Sequence, residues 1–589
     1  MRSFKKQMIL LPVAAFLFLN LAFILDKGKK NNDEKNGGLI LPGHFKATVV
    51  VDSLKGSARH LAVNTNGDIY VKLRFPDFAG GNAALRDTNG DGRADTIIKF
   101  ADYEDKGTYG TSMRVHNGYL YFSSETNVYR TRLNPQTLVP DGPLELLLHD
   151  ANGRHEHDAK PLAFDGKGHM YVAFGAPSNA CQEQNRVPGS PGIEGCPLLA
   201  EYGGIWQFDE AKQGQQQKDG KRYATGLRSV VAMDWNTREN CLYVVAHGRD
   251  DLHMLFPKQF NAWQSAVMPA EEFLKVTEGS DAGWPYYFYD PIKHLKLLNP
   301  EYGGDGKKAG EGKKYNQPIM AFQAHWAPND LLFYTGDQFP QRYRNGAFIA
   351  FHGSTNRSPY PQGGYFVCFV PFKNGKPAGN WEVFADGFTG RKTVISASEA
   401  RYRPMGLAMG PDGSLYVSET EKGKIWRISY TGDKNKFTRL QLQQMEARKS
   451  TSNFKRPDPL RNNLMSGMLG NGAKLYRNYC AGCHQPNGKG DGNLFPPLSG
   501  SEWVTGGPYM DKYRAIQVML KGLEGPIKVA NKPYNSVMPK HDFLKDEQIA
   551  QVLTYIRNNF GNNSSLVTAE EVKKVRSRLK QQAPDVKKP

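Results

Sequence analysis

Six times along this chain a turn signal runs straight into a short apolar strand rich in aromatic and β-branched residues, and that recurrence limits the fold more than any other feature. The six are Asn66-Gly-Asp-Ile-Tyr70, Asn117-Gly-Tyr-Leu-Tyr121, Gly168-His-Met-Tyr171, Asn240-Cys-Leu-Tyr243, Asn345-Gly-Ala-Phe-Ile349 and Asp412-Gly-Ser-Leu-Tyr416. Asn, Asp and Gly tolerate the positive φ of tight hairpin turns, and the residues that follow suit a pleated, half-buried surface. Each unit also follows another strand candidate, such as Leu61-Ala-Val63, Pro161-Leu-Ala-Phe164 or Met405-Gly-Leu-Ala-Met409. Short strands repeating every roughly 40–50 residues are the mark of propeller blades, and six occurrences imply six blades. The 61 glycines and 28 tyrosines suit such a turn-rich β architecture. Uneven later spacings leave an irregular β-sandwich as the alternative.

After Tyr430 the pattern changes. Residues 431–464 are charged, Gln-rich and without strand alternation, and read as a linker. From Gly470 the period becomes helical, over Ala473–Tyr479, Tyr513–Leu523 and Asp546–Phe560, with apolar Ile549, Val552, Leu553 and Ile556 on one face. The expected fold is an all-β six-bladed propeller over 45–430 followed by a small all-α domain over 465–562, with 563–589 as a loosely packed charged tail. At the other end, Arg2, Lys5 and Lys6 precede an apolar run from Met8 to Leu25 and a polar stretch to Gly38. Residues 1–38 thus read as a signal peptide or N-terminal membrane anchor, and the body as exported, in the periplasm or beyond.

The formal charge of +18 is spread along the chain beside no nucleic-acid motif, which excludes nucleic acid as the expected partner. It fits a mild attraction to anionic lipid or to an acidic redox partner. Cys181 and Cys196 bracket a Gly/Pro-rich loop, and an oxidising compartment permits a disulfide between them. Cys241 and Cys368 lie in apolar strands and read as buried thiols.

Cys480-Ala-Gly-Cys483-His484 lets two thiols form thioethers to haem vinyls while the next histidine reaches the iron. No second Cys pair completes a zinc site and no βαβ pattern surrounds the motif. With Leu494-Phe-Pro496-Pro-Leu498 downstream and Val537-Met538-Pro539 before the last helix, residues 465–562 resemble class I cytochromes c. By that resemblance Cys480 and Cys483 hold haem c, His484 is the proximal iron ligand and Met538 the distal one. Pro496 would offer its carbonyl to the other ring nitrogen of His484.

The loops that enter the innermost strands converge on one mouth of a propeller. They carry Arg59 and His60, Thr108 to Thr111, His155 and His157, Arg228, His325 with Trp326, and Arg401 with Arg403. That surplus of Arg and His suits a polyanion beside a base, and Arg401 and Arg403 share a face if the segment is extended. Arg401-Tyr-Arg403 before a strand and Pro411-Asp-Gly, His157 before Pro161-Leu-Ala-Phe164, Gly226-Leu-Arg228 and Gly283-Trp-Pro285 together resemble the soluble aldose dehydrogenases that use pyrroloquinoline quinone, in particular their sorbosone/pyranose branch. The resemblance implies that His157 takes the substrate hydroxyl proton and that Arg228 lies over quinone and substrate. It implies that Arg401 and Arg403 bind cofactor carboxylates, and that the carbonyls of Gly248 and Arg249 ligate calcium. The chain departs from the family at its glutamine contact, where Thr108 or Tyr109 stands, and at its asparagine, where Ser229 stands. The family's lysine contact falls near Arg357.

Asp87, Asn89, Asp91 and Asp95 place oxygen side chains at alternate positions around a glycine turn, which reads as a structural calcium loop on a blade, against a plain Asx-turn. The whole reads as an exported quinohaemoprotein dehydrogenase acting on a sugar, aldose or aldehyde hydrate. Its electrons would pass to its own haem c and on to a downstream cytochrome, oxidase or quinone pool. Two rivals are a non-catalytic carbohydrate- or protein-binding propeller carrying a cytochrome, and a calcium-dependent propeller lactonase. The second calls for acids at a mouth that is basic.

Overall fold

The computed structural model describes residues 36–106, 111–153, 155–357, 360–394, 397–457, 471–505, 512–562 and 564–582. The apolar run Met8–Leu25 and the mouth residues Thr108 and Tyr109 lie outside them. No helix among the described residues is long and apolar enough to cross a membrane.

Six antiparallel sheets of at least four strands succeed one another along the chain. Their innermost strands are Ala58–Val63, Ser112–His116, Leu162–Phe164, Val230–Asn236, Pro328–Phe333 and Pro404–Met409. These pack against one another in cyclic order, so the sheets are blades around a common axis. All six turn-strand units found in the sequence are second strands of blades, each paired antiparallel to its innermost neighbour. The last blade closes the ring. Its three strands Pro404–Met409, Leu415–Glu419 and Ile425–Tyr430 take their fourth, Phe45–Val51, from the start of the chain. Joining the two ends this way leaves no open seam between first and last blade.

The segment expected as a free linker is a strap. Helix Gln443–Arg448 buries Met445, and Phe454 packs at the edge of Trp326, in one apolar cluster with Phe366. Arg448 pairs with Asp386, and Lys449 donates to the Trp381 carbonyl at 2.7 Å. Charged residues hid two apolar anchors spaced too widely to show a period. Trp326, expected in the channel wall, is fully buried in that same cluster.

The C-terminal domain has helices over 471–479, Lys512–Lys521 and Asp546–Arg557 around a core holding Tyr476, Ile516, Ile549 and Leu553. The tail is not loose: helix Ala569–Gln582 buries Val572 and Val575 in this core. Arg576 ties it to Asp546 at 2.8 Å and to the carbonyls of Asp542 and Leu544. Its valines three apart form one apolar stripe among many charges.

Cys181 and Cys196 form the expected disulfide, and Cys241 and Cys368 are buried thiols. Opening the bridge by Cys181→Ser with Cys196→Ser is expected to cost about 3 kcal/mol on chain-entropy grounds. Urea unfolding of the two proteins measures it, and an unchanged midpoint overturns it.

Candidate active site

Each mouth residue owes its position to a strand that begins or ends beside it. His157 precedes the third innermost strand in a left-handed conformation (φ 56°), which turns its ring back across Gly175. Its Nδ1–H donates to the Ala176 carbonyl at 2.6 Å, so Nε2 is the unprotonated ring nitrogen. Burial, and then the Arg228 guanidinium, hold the ring's pKa well below the usual histidine value. His157 is a neutral base. His155 instead donates to the neighbouring Glu156 carbonyl and packs edge-on against Tyr202.

Arg228 sits at the entrance to the fourth innermost strand. Nη1 donates to the Gly248 carbonyl at 2.8 Å and Nη2 to Asp250 Oδ2 at 2.7 Å. Its Nε is buried without a hydrogen-bond partner among the described residues. Asp250 also accepts from Asn356 Nδ2 at 2.6 Å and from Arg186, while His325 Nδ1 lies 3.8 Å away. Burial pushes the Asp250 carboxyl up, but Arg228, Arg186 and the two histidines outweigh it and hold the group ionised below the usual range. Arg186 comes from the disulfide-tied loop and spans Glu156, Asp250 and Asp251. A second cluster borders the first. Arg403 donates to the carbonyls of His352 and Gly353, the latter at 2.6 Å, and His352 Nε2 meets the Thr420 hydroxyl at 2.7 Å. Arg74 donates to the Thr420 carbonyl at 3.0 Å. His60 meets the Asn329 carbonyl at 2.8 Å, and burial lowers it to about 4.

Two expected residues fall elsewhere. Arg401 is exposed, its guanidinium over the Tyr402 ring at 5.1 Å, in a surface cleft with Thr389 and Gly390. Residues 401–403 form no regular strand, and Arg401 is exposed where Arg403 turns to the carbonyls of His352 and Gly353. Arg357 is fully buried and turned to the Ala324 carbonyl and Gln323. The Arg249 side chain forms a buried ion pair with Glu301, which leaves its backbone carbonyl out of that pair.

The Gly248 carbonyl accepts from Arg228, and its second lone pair remains for a calcium ion. In the Asp87 loop every side chain turns back on the loop itself. Asp87 accepts from the backbone of Gly90 and Gly92, Asn89 from Asp91, Asp91 from Arg93, and Asp95 from Thr88. The Asn89 and Asp91 bonds are Asx-turns, and no group of three or more His, Cys, Asp or Glu is placed to hold a metal among the described residues. The quinone fits. A tricarboxylate needs buried donors, and Arg228 Nε is one left unused, with neutral His157 and His325 as neighbours.

The haem residues converge. Cys480, His484, Pro496 and Met538 line one apolar cavity with Val504, Met519 and Leu553. His484 Nδ1 meets the Pro496 carbonyl at 2.9 Å, the bond expected of a proximal ligand. Met538 is set opposite by a reciprocal backbone pair with Leu523, 2.9 Å each way. The donor set, two adjacent thiols with one histidine and one thioether, fits haem c.

Residues 109–355 match the glucose/sorbosone dehydrogenase family, 304–431 a TrAA12-like family and 469–560 the cytochrome c family. Cytochrome c-552 of Thermus thermophilus is 43% identical over 112 residues, 18% of this chain and 85% of that protein. The C-terminal domain belongs to the cytochrome c family. It is also 34% identical over 116 residues to the fructose dehydrogenase cytochrome subunit of Gluconobacter japonicus, 19% of this chain and 23% of that one. Among solved structures, a Trichoderma reesei enzyme of carbohydrate-active family AA12 superposes on the propeller with TM-score 0.53 at 18% identity, over 67% of this chain and 97% of that one. The pyrroloquinoline-quinone domain of pyranose dehydrogenase from Coprinopsis cinerea gives 0.52 at 17%, over 66% and 97%. At such identities these two show the six-bladed fold alone.

Asp250, Asn356 and Arg186 were not among the residues expected from sequence. They lie on loops that follow second strands, whereas the residues expected from the blade pattern lie on loops entering innermost strands. The string His247-Gly-Arg-Asp250, directly after strand Cys241–Ala246, was the available signal, because second strands also end at the mouth.

Proposed function

We propose that the protein is an exported dehydrogenase that oxidises a sugar or aldehyde hydrate at the propeller mouth and sends the electrons through its own haem c. One observation carries this reading: His157 is a neutral, oriented base beside the Arg228–Asp250 pair, in a chain that also contains a cytochrome. When bound, pyrroloquinoline quinone supplies the two-electron acceptor. His157 Nε2 takes the substrate hydroxyl proton, and burial keeps that nitrogen free to do so at neutral pH. Arg228 binds the cofactor's anionic edge through its free Nε–H, and Asp250 fixes the guanidinium plane. The histidines of the mouth stay uncharged, so positive charge is concentrated on the guanidinium groups. His484 and Met538 hold the haem iron, and the thioether raises its potential. Export agrees with the disulfide and the N-terminal apolar run.

The test is anaerobic mixing of quinone-loaded protein with candidate aldoses while haem absorbance is followed. Haem reduction that depends on both sugar and quinone is expected, and haem that no sugar reduces in loaded protein overturns the scheme. Met538→Ala is expected to leave sugar oxidation with a small artificial acceptor near wild type while the haem potential falls in a redox titration. An unchanged potential removes Met538 as the ligand.

A further inference from the structure

The hairpin that joins the second and third strands of the first blade, Ile69–Asp77 and Gly80–Arg86, carries its most exposed apolar residue at its tip. Phe78 is 92% exposed and Phe75 53%. Second strands end on the mouth side, so this tip rises beside the site. Arg74, whose guanidinium lies 4.8 Å from the centre of the Phe75 ring, donates to Thr420 and Glu421 next to Arg403. Acids lie on the same blade: Asp77 at the turn, paired with Lys99 at 2.6 Å, Asp102, paired with Lys106 at 2.6 Å, and exposed Glu104 on the following mouth loop.

The cytochrome has a complementary patch. Leu494 is 58% and Val537 64% exposed. Leu494 lies two residues before Pro496 and Val537 immediately before Met538, so they flank the two segments that line the haem cavity. Ser536 Oγ donates to the Leu494 carbonyl at 2.6 Å and holds the two side by side. Exposed Lys489, Lys532 and Lys540 lie on these same segments.

The strap leads from one patch towards the other. Trp263 Nε1 donates to the carbonyl of Pro457, the last described residue before the cytochrome, at 2.8 Å. Two residues along the same helix, the Ser265 carbonyl meets His325 Nε2 at 2.8 Å, and His325 faces Asp250. The chain therefore leaves the propeller at the edge of the mouth. The 13 residues 458–470 reach at most about 45 Å, so the cytochrome is tethered to the mouth face.

We infer that the Phe75/Phe78 hairpin is the docking surface for the Leu494/Val537 face of the chain's own cytochrome. Apolar contact supplies the centre, and exposed Glu104 with Lys489 and Lys532 supplies charge at the rim. This rests on the dehydrogenase reading, and the experiment separates the two. In full-length protein loaded with haem and quinone, carbodiimide is expected to join Glu104 to Lys489 or Lys532. Peptide mapping reads the links, and high salt suppresses them. Phe78→Ser alters an exposed side chain and leaves the fold intact. It is expected to slow sugar-driven haem reduction about 10-fold, the usual scale for truncating a central aromatic, with turnover on a small artificial acceptor unchanged. Absence of every such link, or full-speed haem reduction in Phe78→Ser, overturns the docking surface while leaving the dehydrogenase reading in place. A raised KM for sugar with the artificial acceptor and unchanged haem reduction at saturating sugar also overturns it, and makes the hairpin a carbohydrate platform.

Discussion

His157→Ala is expected to abolish sugar-driven reduction of both quinone and haem, lowering the first-order rate by about 10²–10⁴-fold. The ring is held by one hydrogen bond to the Ala176 carbonyl and sits among Arg228, Asp250 and Arg186, so its removal takes away a neutral base oriented beside that pair. Stopped-flow haem absorbance reads the loss, while chemical reduction by dithionite stays normal because the cytochrome is untouched. The pH behaviour follows from the direction of the shift. A histidine whose folded pKa is depressed stays unprotonated below about pH 6.5, where the unfolded chain takes up a proton. Its share of stability is present above the unfolded value and is lost as pH falls towards the folded one. The wild type should therefore keep its reduction rate from pH 8 to about 6.5, with no inflection at the ordinary histidine value. Persistence of full sugar-driven haem reduction in His157→Ala moves the base elsewhere, to His325 or His155.

Asp250→Ala is expected to destabilise the propeller by about 3 kcal/mol, because it strands the buried Arg228 guanidinium and strips Arg186 of one partner. Asp250→Asn should lose less, since it keeps the shape and one acceptor. The pH effect has the same sign as that of His157 and a different origin, the charged form being the one held here. A carboxylate with a depressed folded pKa contributes stability above its unfolded value of about 3.9, and loses it as pH falls further. The gap between wild type and Asp250→Asn in urea unfolding should be full at pH 7 and shrink below about pH 4. Quinone titration of Asp250→Asn should also weaken, because Arg228 is no longer fixed against Gly248. Equal stability of wild type and Asp250→Ala at pH 7 would remove the pair as the frame of the site.

Periodic features were legible from the residues alone. The six turn-strand units were the second strands of six blades because a hairpin turn and the alternating strand after it are local events, decided within a handful of residues. The cytochrome was equally plain: Cys480, Cys483 and His484 are adjacent, and Pro496 and Met538 stand at offsets that the domain's small size preserves. The Cys181–Cys196 pairing belongs to the same local class. Long-range packing decided the rest. Arg401 and Arg403 are two residues apart, but only the irregular backbone before Pro404 determines that one meets His352 and the other Tyr402. Asp250 binds Arg228, Arg186 and Asn356 from three separate loops, and no spacing in the chain announces that meeting. The strap and the C-terminal helix looked like solvated charge because a few anchors, Met445, Phe454, Val572 and Val575, do their packing between many lysines and glutamates. Local chemistry set the elements and the haem site. The candidate mouth is a convergence of several blades, and only the closed ring brings its charges together.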